Sequence, residues 1–283
     1  TPFKGDFSID FDALGRLVDY HLEHGTDGIV PCGCTGEAAT LAHEEQEQVI
    51  RFVIERVEGR VPVIAGTGSN STAEAIEISL HAKEMGADAV LLVSPYYNKP
   101  TQEGLYQHYK ALAEKVPLPQ VLYNVPGRTG MNMEAATTIR LAEFKNVVAI
   151  KEASGNVTQS GEIIAAAGDK IDVLSGDDFL TLPLMACGAK GVISVTANIA
   201  PAQVKAMVTA INEGRWDDAR ALHLRLLDLH QTMFIEANPV PVKTSLALMG
   251  MGGSHVRLPL VDMEPANLEK LKSVLKKHQL VGQ

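Results

Sequence analysis

Lys151 ends an apolar run, which is an unusual position for a charged side chain. It directly follows residues 147–150 in the segment VVAIKEA. Burial disfavours the ammonium form, so it lowers the pKa of a lysine and supplies the free amine that attacks a carbonyl. A Schiff base between Lys151 and a small keto acid is therefore one interpretation. A lysine neutralised by Glu152 or Asp177, or one that binds a phosphate, is the alternative that this position leaves open.

Three more polar residues follow apolar runs and are candidates for chemistry. The phenol of Tyr123 could shuttle protons during imine formation, or it could be a core tyrosine with a satisfied hydroxyl. Arg128, in the segment PGRTG, could hold a carboxylate with its guanidinium fork or be a solvated loop arginine. Thr35 lies in the turn GCTG, whose N–H groups and hydroxyl suit a carboxylate.

These residues lie at the ends of runs that predict a parallel sheet. Each run is continuously apolar and is followed by a stretch of helical periodicity, so both faces of the sheet are expected to be covered by helices. We predict a (β/α)8 TIM barrel, in which the carboxyl ends of the strands build the active site, with a doubly wound sheet as the alternative. The seven runs are residues 28–33, 61–68, 89–97, 120–126, 147–153, 171–177 and 191–197.

The end of the chain is predicted to be helical throughout. Helical patterns cover residues 202–212, 216–234, 242–248 and 267–278. We therefore expect a barrel catalytic domain over residues 1–212 and a C-terminal helical extension over residues 213–283, packed on the barrel. A barrel needs an eighth strand, and the expected place for it is just before Thr1, so the first strand is predicted to be missing from this chain.

Composition narrows the class of ligand. The 283 residues carry a formal net charge of −9 at pH 7, which argues against nucleic acid and membrane surfaces, because both are bound by clustered Lys and Arg. The expected partner is a small molecule. Three cysteines are too few for a disulfide framework, so we expect a reducing cytoplasm. Cys32 and Cys34 lack a second pair of ligands nearby, and we expect no metal. No apolar run is long enough for a membrane helix.

The motifs taken together carry a resemblance that spans almost the whole chain. They are GCTGEAATL, AGTGSNSTAEAI, SPYYNKPTQEGLYQHY, YNVPGRTG, IKEASGN, LSGDD and GVISVTAN. In this order they resemble the dihydrodipicolinate synthase family, one of the pyruvate-dependent Schiff-base aldolases. The resemblance implies a lyase that condenses pyruvate with L-aspartate 4-semialdehyde to give 4-hydroxy-tetrahydrodipicolinate, at the entry to diaminopimelate and lysine synthesis. It implies no metal and no organic cofactor.

The resemblance also implies a role for each candidate residue. Lys151 would form the imine with pyruvate, with Tyr123 as the acid/base beside it. Tyr97 would be lent across a dimer interface to the neighbouring active site, within a homotetramer that is a dimer of dimers. The substrate contacts would come from Thr35 for the pyruvate carboxylate, Arg128 for the carboxylate of the semialdehyde, and the backbone near Gly176 and Ile193.

Cys34 is a departure from the family pattern. Family members usually have threonine at this position, where its hydroxyl links the two tyrosines into a proton relay. A thiol is a weaker hydrogen-bond partner. Either the relay is slower in this chain, or a water replaces the hydroxyl, or the specificity differs.

An allosteric lysine pocket is a further implication of the resemblance. The corresponding residues are Ala38, Ala39, His43, Asn70, Glu74 and Tyr96. The correspondence is incomplete, because Gln46 stands where lysine-sensitive members commonly have histidine. Feedback inhibition by L-lysine therefore stays open on the sequence.

Two other functions remain as alternatives. One is a related pyruvate-dependent aldolase that acts on a sugar acid, for which Cys34 is the best argument. The other is a barrel that binds a keto acid or lysine as a regulator without turnover.

Overall fold

The computed structural model describes residues 1–282 and contains two compact units. One unit is Pro62–Ile193; the other combines Thr1–Val61 with the chain from Ser194 onward. The α-helices are α1 (Phe11–Glu23), α2 (His43–Val57), α3 (Thr72–Met85), α4 (Gln102–Lys115), α5 (Pro126–Thr129), α6 (Ala135–Leu141), α7 (Val157–Ala167), α8 (Thr181–Ala186), α9 (Pro201–Asn212), α10 (Trp216–Thr232), α11 (Val240–Leu248) and α12 (Pro265–Lys277). The strands are β1 (Ile64–Gly66), β2 (Ala89–Val93), β3 (Gln120–Asn124), β4 (Val147–Glu152), β5 (Asp172–Ser175) and β6 (Gly191–Val192).

The unit Pro62–Ile193 is built on one parallel sheet. Its six strands are neighbours in chain order, from β1 to β6, and each of the five neighbouring pairs is parallel. A doubly wound sheet reverses its strand order at a switch point, and this sheet does not. The sequential order is the one that a barrel requires. Because all strands run in the same direction, their carboxyl ends lie at one edge of the sheet.

Local sequence explains where several helices begin. At four of them, a short polar side chain just before the helix accepts a hydrogen bond from the N–H three residues later in the chain. This bond satisfies a backbone donor that the helix itself cannot pair. These caps are Asp10 for α1, Ser71 for α3, Thr101 for α4 and Asn156 for α7. Gly86 ends α3 at a φ of 94°, in a conformation that favours glycine.

The strand predicted at residues 28–33 is reduced to a single β-bridge residue, Ile29. Pro31 has no N–H to donate to a ladder, and Cys32 has a φ of 57°, which is outside the extended region. The run predicted over residues 191–197 is also shortened, because β6 ends at Val192. Beyond it the Ser194 hydroxyl accepts from the N–H of Ala197 at 2.8 Å, in the turn before a short 3-10 helix.

The C-terminal helices match the sequence patterns closely. The predicted helices at residues 202–212, 216–234, 242–248 and 267–278 correspond to α9, α10, α11 and α12. Apolar residues of α10, α11 and α12 form one buried cluster, which includes Leu226, Leu229, Leu246, Leu271 and Leu275. The boundary predicted at residue 212 stays a prediction. Among residues 1–282, every helix is too short or too polar to cross a lipid bilayer.

Candidate active site

Lys151 and Tyr123 form the centre of the candidate site. They are register partners on β4 and β3, so adjacent parallel strands place them side by side. Lys151 Nζ lies 4.2 Å from the centroid of the Tyr123 ring, and the residues are 8% and 5% exposed. The amine is therefore close to a phenol in a surrounding of low polarity. This is the pairing that proton transfer to and from a lysine adduct needs.

Gly176 allows the chain after β5 to approach Lys151. Its N–H donates to the carbonyl of Glu152 at 2.7 Å. A Cβ at this position would lie 2.6 Å from Cβ of Ala153 and 3.2 Å from Cε of Lys151. Only glycine fits this contact without displacing its neighbours. Ile193 lies beside the same segment, with its N–H donating to the carbonyl of Ser175 at 2.9 Å.

Asp177 gives the site an acidic neighbour. Burial raises the pKa of its carboxyl, and the nearby acids Asp178 and Glu152 act in the same direction. The charge of Lys151 opposes this change and lowers the pKa of Asp177. Lys151 and Asp177 are thus electrostatically coupled, since a cation on the lysine favours the charged form of this carboxyl.

The backbone of Tyr123 is fixed from the neighbouring strand. The N–H and the hydroxyl of Ser94 both donate to the Tyr123 carbonyl, at 2.9 and 3.0 Å. The fully buried Tyr109 holds Ser94 in turn, because its hydroxyl lies 3.2 Å from Ser94 Oγ and donates to the carbonyl of Leu92 at 3.1 Å. The phenol of Tyr123 is therefore carried by a backbone with little freedom.

Arg128 and Tyr97 are on the surface of the same unit. Arg128 lies on α5 and is exposed. Tyr97 is 89% exposed and has a φ of 72°, a left-handed conformation that a bulky residue rarely adopts. Neighbouring Tyr96 is 41% exposed. An aromatic side chain held outward at a strained position is a feature of contact surfaces.

Thr35 and Cys34 belong to the other unit. Both are half-buried, in the turn before the short helix Ala38–Thr40. Asn238 Nδ2 donates to Thr35 Oγ1 at 2.9 Å. Because that bond uses Thr35 as an acceptor, the hydroxyl proton of Thr35 points elsewhere and can be donated.

A second buried lysine, which the sequence analysis missed, lies next to this turn. Lys243 donates to Glu37 Oε2 at 2.5 Å, and both side chains are almost fully buried. Burial lowers the pKa of Lys243, while the hydrogen bond and the charge of Glu37 oppose that change. Lys243 follows Val240, Pro241 and Val242. A charge at the end of an apolar run is the same pattern that indicated Lys151, so the sequence also predicts that Lys243 is buried.

A buried carboxylate beside Lys151 was also missed. Glu152 is 2% exposed and accepts hydrogen bonds from the backbone of Ser154 and from the side-chain amides of Asn124 and Gln159. From the sequence, Glu152 was expected only as a partner that could neutralise Lys151. Successive side chains on a strand point to opposite faces, which places Glu152 on the helix side of the sheet.

The residues predicted for a lysine pocket divide between the two units. In one unit, Asn70 Nδ2 donates to the carbonyl of Tyr96 at 3.1 Å, and the Ser69 hydroxyl donates to Glu74. Asn70, Glu74 and Tyr96 therefore lie in one neighbourhood. In the other unit, Ala38 and Ala39 are in the short helix Ala38–Thr40, and His43 is the first residue of α2. Among residues 1–282 there is no group of three or more His, Cys, Asp and Glu side chains suited to a metal ion.

Comparison with known proteins gives a consistent result over the full chain. The dihydrodipicolinate synthetase family matches residues 1–278. A curated relative from Syntrophotalea carbinolica, 4-hydroxy-tetrahydrodipicolinate synthase, is 65% identical over 281 residues, which are 99% of this chain and 96% of the relative. The enzyme of the same name from Geotalea uraniireducens is 60% identical, with 99% of this chain and 97% of the relative covered.

Solved structures agree with the predicted fold. Dihydrodipicolinate synthase from Aquifex aeolicus has a TM-score of 0.97 at 50% identity, covering 99% of this chain and 96% of that one. The enzyme from Acinetobacter baumannii, solved in complex with pyruvate, has a TM-score of 0.98 at 48% identity, covering 99% and 97%. The enzyme from Cyanidioschyzon merolae, solved with lysine bound, has a TM-score of 0.97 at 41% identity, covering 99% and 96%.

A further solved relative bears on assembly. It is described as a monomeric dihydrodipicolinate synthase variant, and it has a TM-score of 0.97 at 42% identity, covering 99% of this chain and 95% of that one. The fold class, a (β/α)8 barrel with a C-terminal helical extension, is thereby confirmed. With a family match over nearly its whole length and relatives well above half identical, this chain belongs to the dihydrodipicolinate synthetase family.

Proposed function

We propose that Lys151 is the nucleophile of a lyase that condenses pyruvate with L-aspartate 4-semialdehyde. The reaction is that of a 4-hydroxy-tetrahydrodipicolinate synthase, in lysine and diaminopimelate biosynthesis. The observation that carries the role of Lys151 is its burial beside Tyr123, with 4.2 Å between Nζ and the ring centroid. An amine in this setting is available for attack on a ketone, and a phenol is at hand to move protons.

The first half of the reaction builds a nucleophile on the lysine. Lys151 Nζ attacks C2 of pyruvate, and the carbinolamine loses water to give the protonated imine. The imine cation draws electrons from the adjacent methyl group, so loss of a proton from C3 gives the enamine. Tyr123 carries the protons of these steps. The carboxyl of Asp177 interacts electrostatically with Lys151, and in its charged form it favours the cationic imine.

The second half forms the new bond and releases the enzyme. The enamine carbon attacks the aldehyde of L-aspartate 4-semialdehyde, and the aldehyde oxygen takes a proton to become the hydroxyl. The amino group of the same substrate then attacks the imine carbon and displaces Lys151, which closes the ring. The net change is the loss of one water. Holding both substrates in place makes these steps intramolecular, which is a large part of the rate advantage.

The remaining site residues are part of the same proposal. Arg128 binds the carboxylate of the semialdehyde, for which an exposed guanidinium on a short helix is suited. Gly176 and Ile193 offer backbone contacts beside the lysine, supported by the close approach of Gly176 to Lys151 Cε. Thr35 holds the pyruvate carboxylate, supported by the bond from Asn238 that leaves its hydroxyl proton for donation. Cys34 takes part in the proton relay in place of a hydroxyl.

We extend the proposal to assembly and location. The protein is a dimer of dimers in which Tyr97 reaches the neighbouring subunit, supported by its 89% exposure and left-handed backbone.

A cytoplasmic location is supported by three cysteines, all among the described residues, that form no disulfide. Inhibition by L-lysine is supported by the clustering of Asn70, Glu74 and Tyr96. Titrating L-lysine into the activity assay tests it, and a constant rate would contradict it.

A substrate comparison tests the proposed function. Turnover is measured with pyruvate and L-aspartate 4-semialdehyde, and separately with N-acetylneuraminate and 2-keto-3-deoxygluconate. We expect condensation of the first pair and negligible cleavage of the two sugar acids. Cleavage of a sugar acid without condensation of the first pair would contradict the assignment and would favour the related aldolase.

A further inference from the structure

We propose that Glu152 is a positioning residue that fixes both Lys151 and the loop that carries Arg128. The inference rests on the roles proposed for those two residues. Glu152 is buried and charged, and no step of the reaction uses it. Its side chain lies on the opposite face of β4 from that of Lys151, so it acts through the backbone and through its hydrogen-bond partners.

Four side chains form a closed ring of hydrogen bonds on the helix side of the sheet. Asn124 Nδ2 donates to Asn132 Oδ1 at 2.8 Å, and Asn132 Nδ2 donates to Gln159 Oε1 at 2.8 Å. Gln159 Nε2 donates to Glu152 Oε2 at 3.1 Å, and Asn124 Nδ2 reaches both oxygens of Glu152 at 3.2 Å. Asn124 is fully buried, and Gln159 is 7% exposed.

The direction of these bonds requires a carboxylate at residue 152. The Asn124 amide is oriented independently, because its Oδ1 accepts from the N–H of Met133 at 2.9 Å. Its Nδ2 must therefore face Glu152, and the Nδ2 of Asn132 in turn orients Gln159. Both amides present donors to Glu152, which offers only acceptors when ionised. A glutamine at this position would place at least one N–H against another donor.

The ring fastens the two ends of the Arg128 loop to each other. Asn124 is the residue before Val125, where the loop begins, and Asn132 and Met133 follow its end. The same ring holds the end of β4, since Asn124 and Glu152 are register partners one residue beyond Tyr123 and Lys151. The Glu152 carbonyl also accepts from the N–H of Gly176 at 2.7 Å. Glu152 thus connects the loop through its carboxylate and the Gly176 contact through its backbone carbonyl, directly beside Lys151.

The substitution Glu152→Gln tests this inference against a matched control. Asn146→Ala removes two hydrogen bonds, to the carbonyls of Ala113 and Val116, at the amino end of the same strand β4. For E152Q we expect kcat to fall by about tenfold or more. The KM for L-aspartate 4-semialdehyde should rise more than the KM for pyruvate, because Arg128 is displaced. For N146A we expect a lower melting temperature with both KM values and kcat near those of the parent.

Parental kinetics for folded E152Q would overturn the inference. It would also be overturned if E152Q changed the KM for pyruvate and the KM for L-aspartate 4-semialdehyde by the same factor, and N146A changed both by that factor too. If E152Q fails to fold, Gln159→Ala removes one donor and one acceptor of the ring, and we expect the same difference between the two KM values at a smaller size. Parental KM values for Q159A would then overturn it.

Amide hydrogen exchange of residues 125–131 gives a readout that does not need turnover. We expect faster exchange in E152Q than in the parent, and unchanged exchange would contradict a role of the ring in holding this loop. A parent that forms no pyruvate adduct on Lys151 refutes the proposed function instead.

Discussion

Lys151 and Tyr123 are register partners on adjacent parallel strands, with the lysine nitrogen 4.2 Å from the centre of the phenol ring. The contact is specified by the register of β3 and β4 more than by either side chain. On each side the backbone is held by hydrogen bonds: Ser94 donates to the Tyr123 carbonyl, and the N–H of Gly176 donates to the Glu152 carbonyl.

Gly176→Ala is expected to displace Lys151. The new Cβ would lie 2.6 Å from Cβ of Ala153 and 3.2 Å from Cε of Lys151, so the backbone or the lysine must shift. We expect kcat to fall by about tenfold to a hundredfold, because misplacement of a reacting group by about 1 Å is enough for such a loss. Overpacking should also lower the free energy of unfolding by about 1–3 kcal/mol.

The matched control for this change is Gly161→Ala. Gly161 lies in α7, where a Cβ would meet no atom within 4 Å. Alanine in a helix should raise the stability by up to about 1 kcal/mol and leave kcat unchanged. Steady-state kinetics and thermal melting check both variants. A Gly176→Ala enzyme with parental kcat would show that the close approach has no role in the reaction.

Tyr123→Phe removes the proposed proton carrier without removing the ring. We expect kcat to fall by about 10²- to 10⁴-fold, the usual range for loss of a general acid or base, with a smaller change in stability. Tyr109→Phe is the control, since this tyrosine is also buried and its hydroxyl bonds to Ser94 and Leu92. That variant should lose about 1–2 kcal/mol of stability and little of kcat. Equal kinetic losses in the two variants would contradict a chemical role for Tyr123.

Cys34→Thr is expected to raise kcat. A hydroxyl is a stronger hydrogen-bond donor and acceptor than a thiol, and a gain of about 1 kcal/mol in the relay corresponds to about a fivefold increase. Cys34→Val has nearly the same shape as threonine and lacks the hydroxyl, so it should fall below the parent. Measuring kcat for both variants separates hydrogen bonding from packing. The relay interpretation fails if the two variants have the same kcat.

His108 should make the protein less stable in acid. Burial lowers the pKa of this histidine from 6.5 to about 4. Below pH 6.5 the unfolded chain binds a proton that the folded chain does not, so stability falls as the pH drops toward 4. The loss approaches about 3 kcal/mol when the pH reaches the folded pKa, since each pKa unit is worth about 1.4 kcal/mol.

His108→Phe should flatten this part of the pH dependence. The side chain is 6% exposed, and its Nδ1 lies 2.9 Å from the Thr72 hydroxyl, so the variant is less stable near neutral pH. Melting temperatures between pH 7 and pH 4 test the prediction. An unchanged slope in the variant would mean that His108 is not the group responsible.

The sequence indicated that Lys151 ends a buried strand with Tyr123 beside it, but it did not show the hydrogen bonds that hold the two residues. Apolar runs and helical periodicity predicted the parallel sheet and the helices α9 to α12, because burial on both faces and helical amphipathicity leave a mark on the local sequence. Of the strand predicted at residues 28–33 only a bridge at Ile29 forms, because Pro31 has no N–H for a ladder. The roles of Lys151, Tyr123, Thr35, Cys34, Arg128 and Tyr97 in the reaction stay predictions.

The ring around Glu152 could not be predicted in the same way. Its members are separated by up to 35 residues in the chain and are joined only by strand register and by the position of α7. Nothing local to Asn124 or Gln159 shows that both amides face a carboxylate. Lys243 is a different case, because its apolar neighbours in the sequence indicated burial as clearly as those of Lys151 did.

The central claim is that Lys151 forms a covalent imine with pyruvate. Sodium borohydride added to the enzyme and pyruvate reduces such an imine to a stable secondary amine, and mass spectrometry of the peptides locates it. We expect the adduct on the peptide that contains Lys151 and none on the peptide with Lys243, the buried lysine paired with Glu37. The adduct should also be absent from Lys151→Arg. An adduct on Lys243, or no adduct at all, would contradict the account.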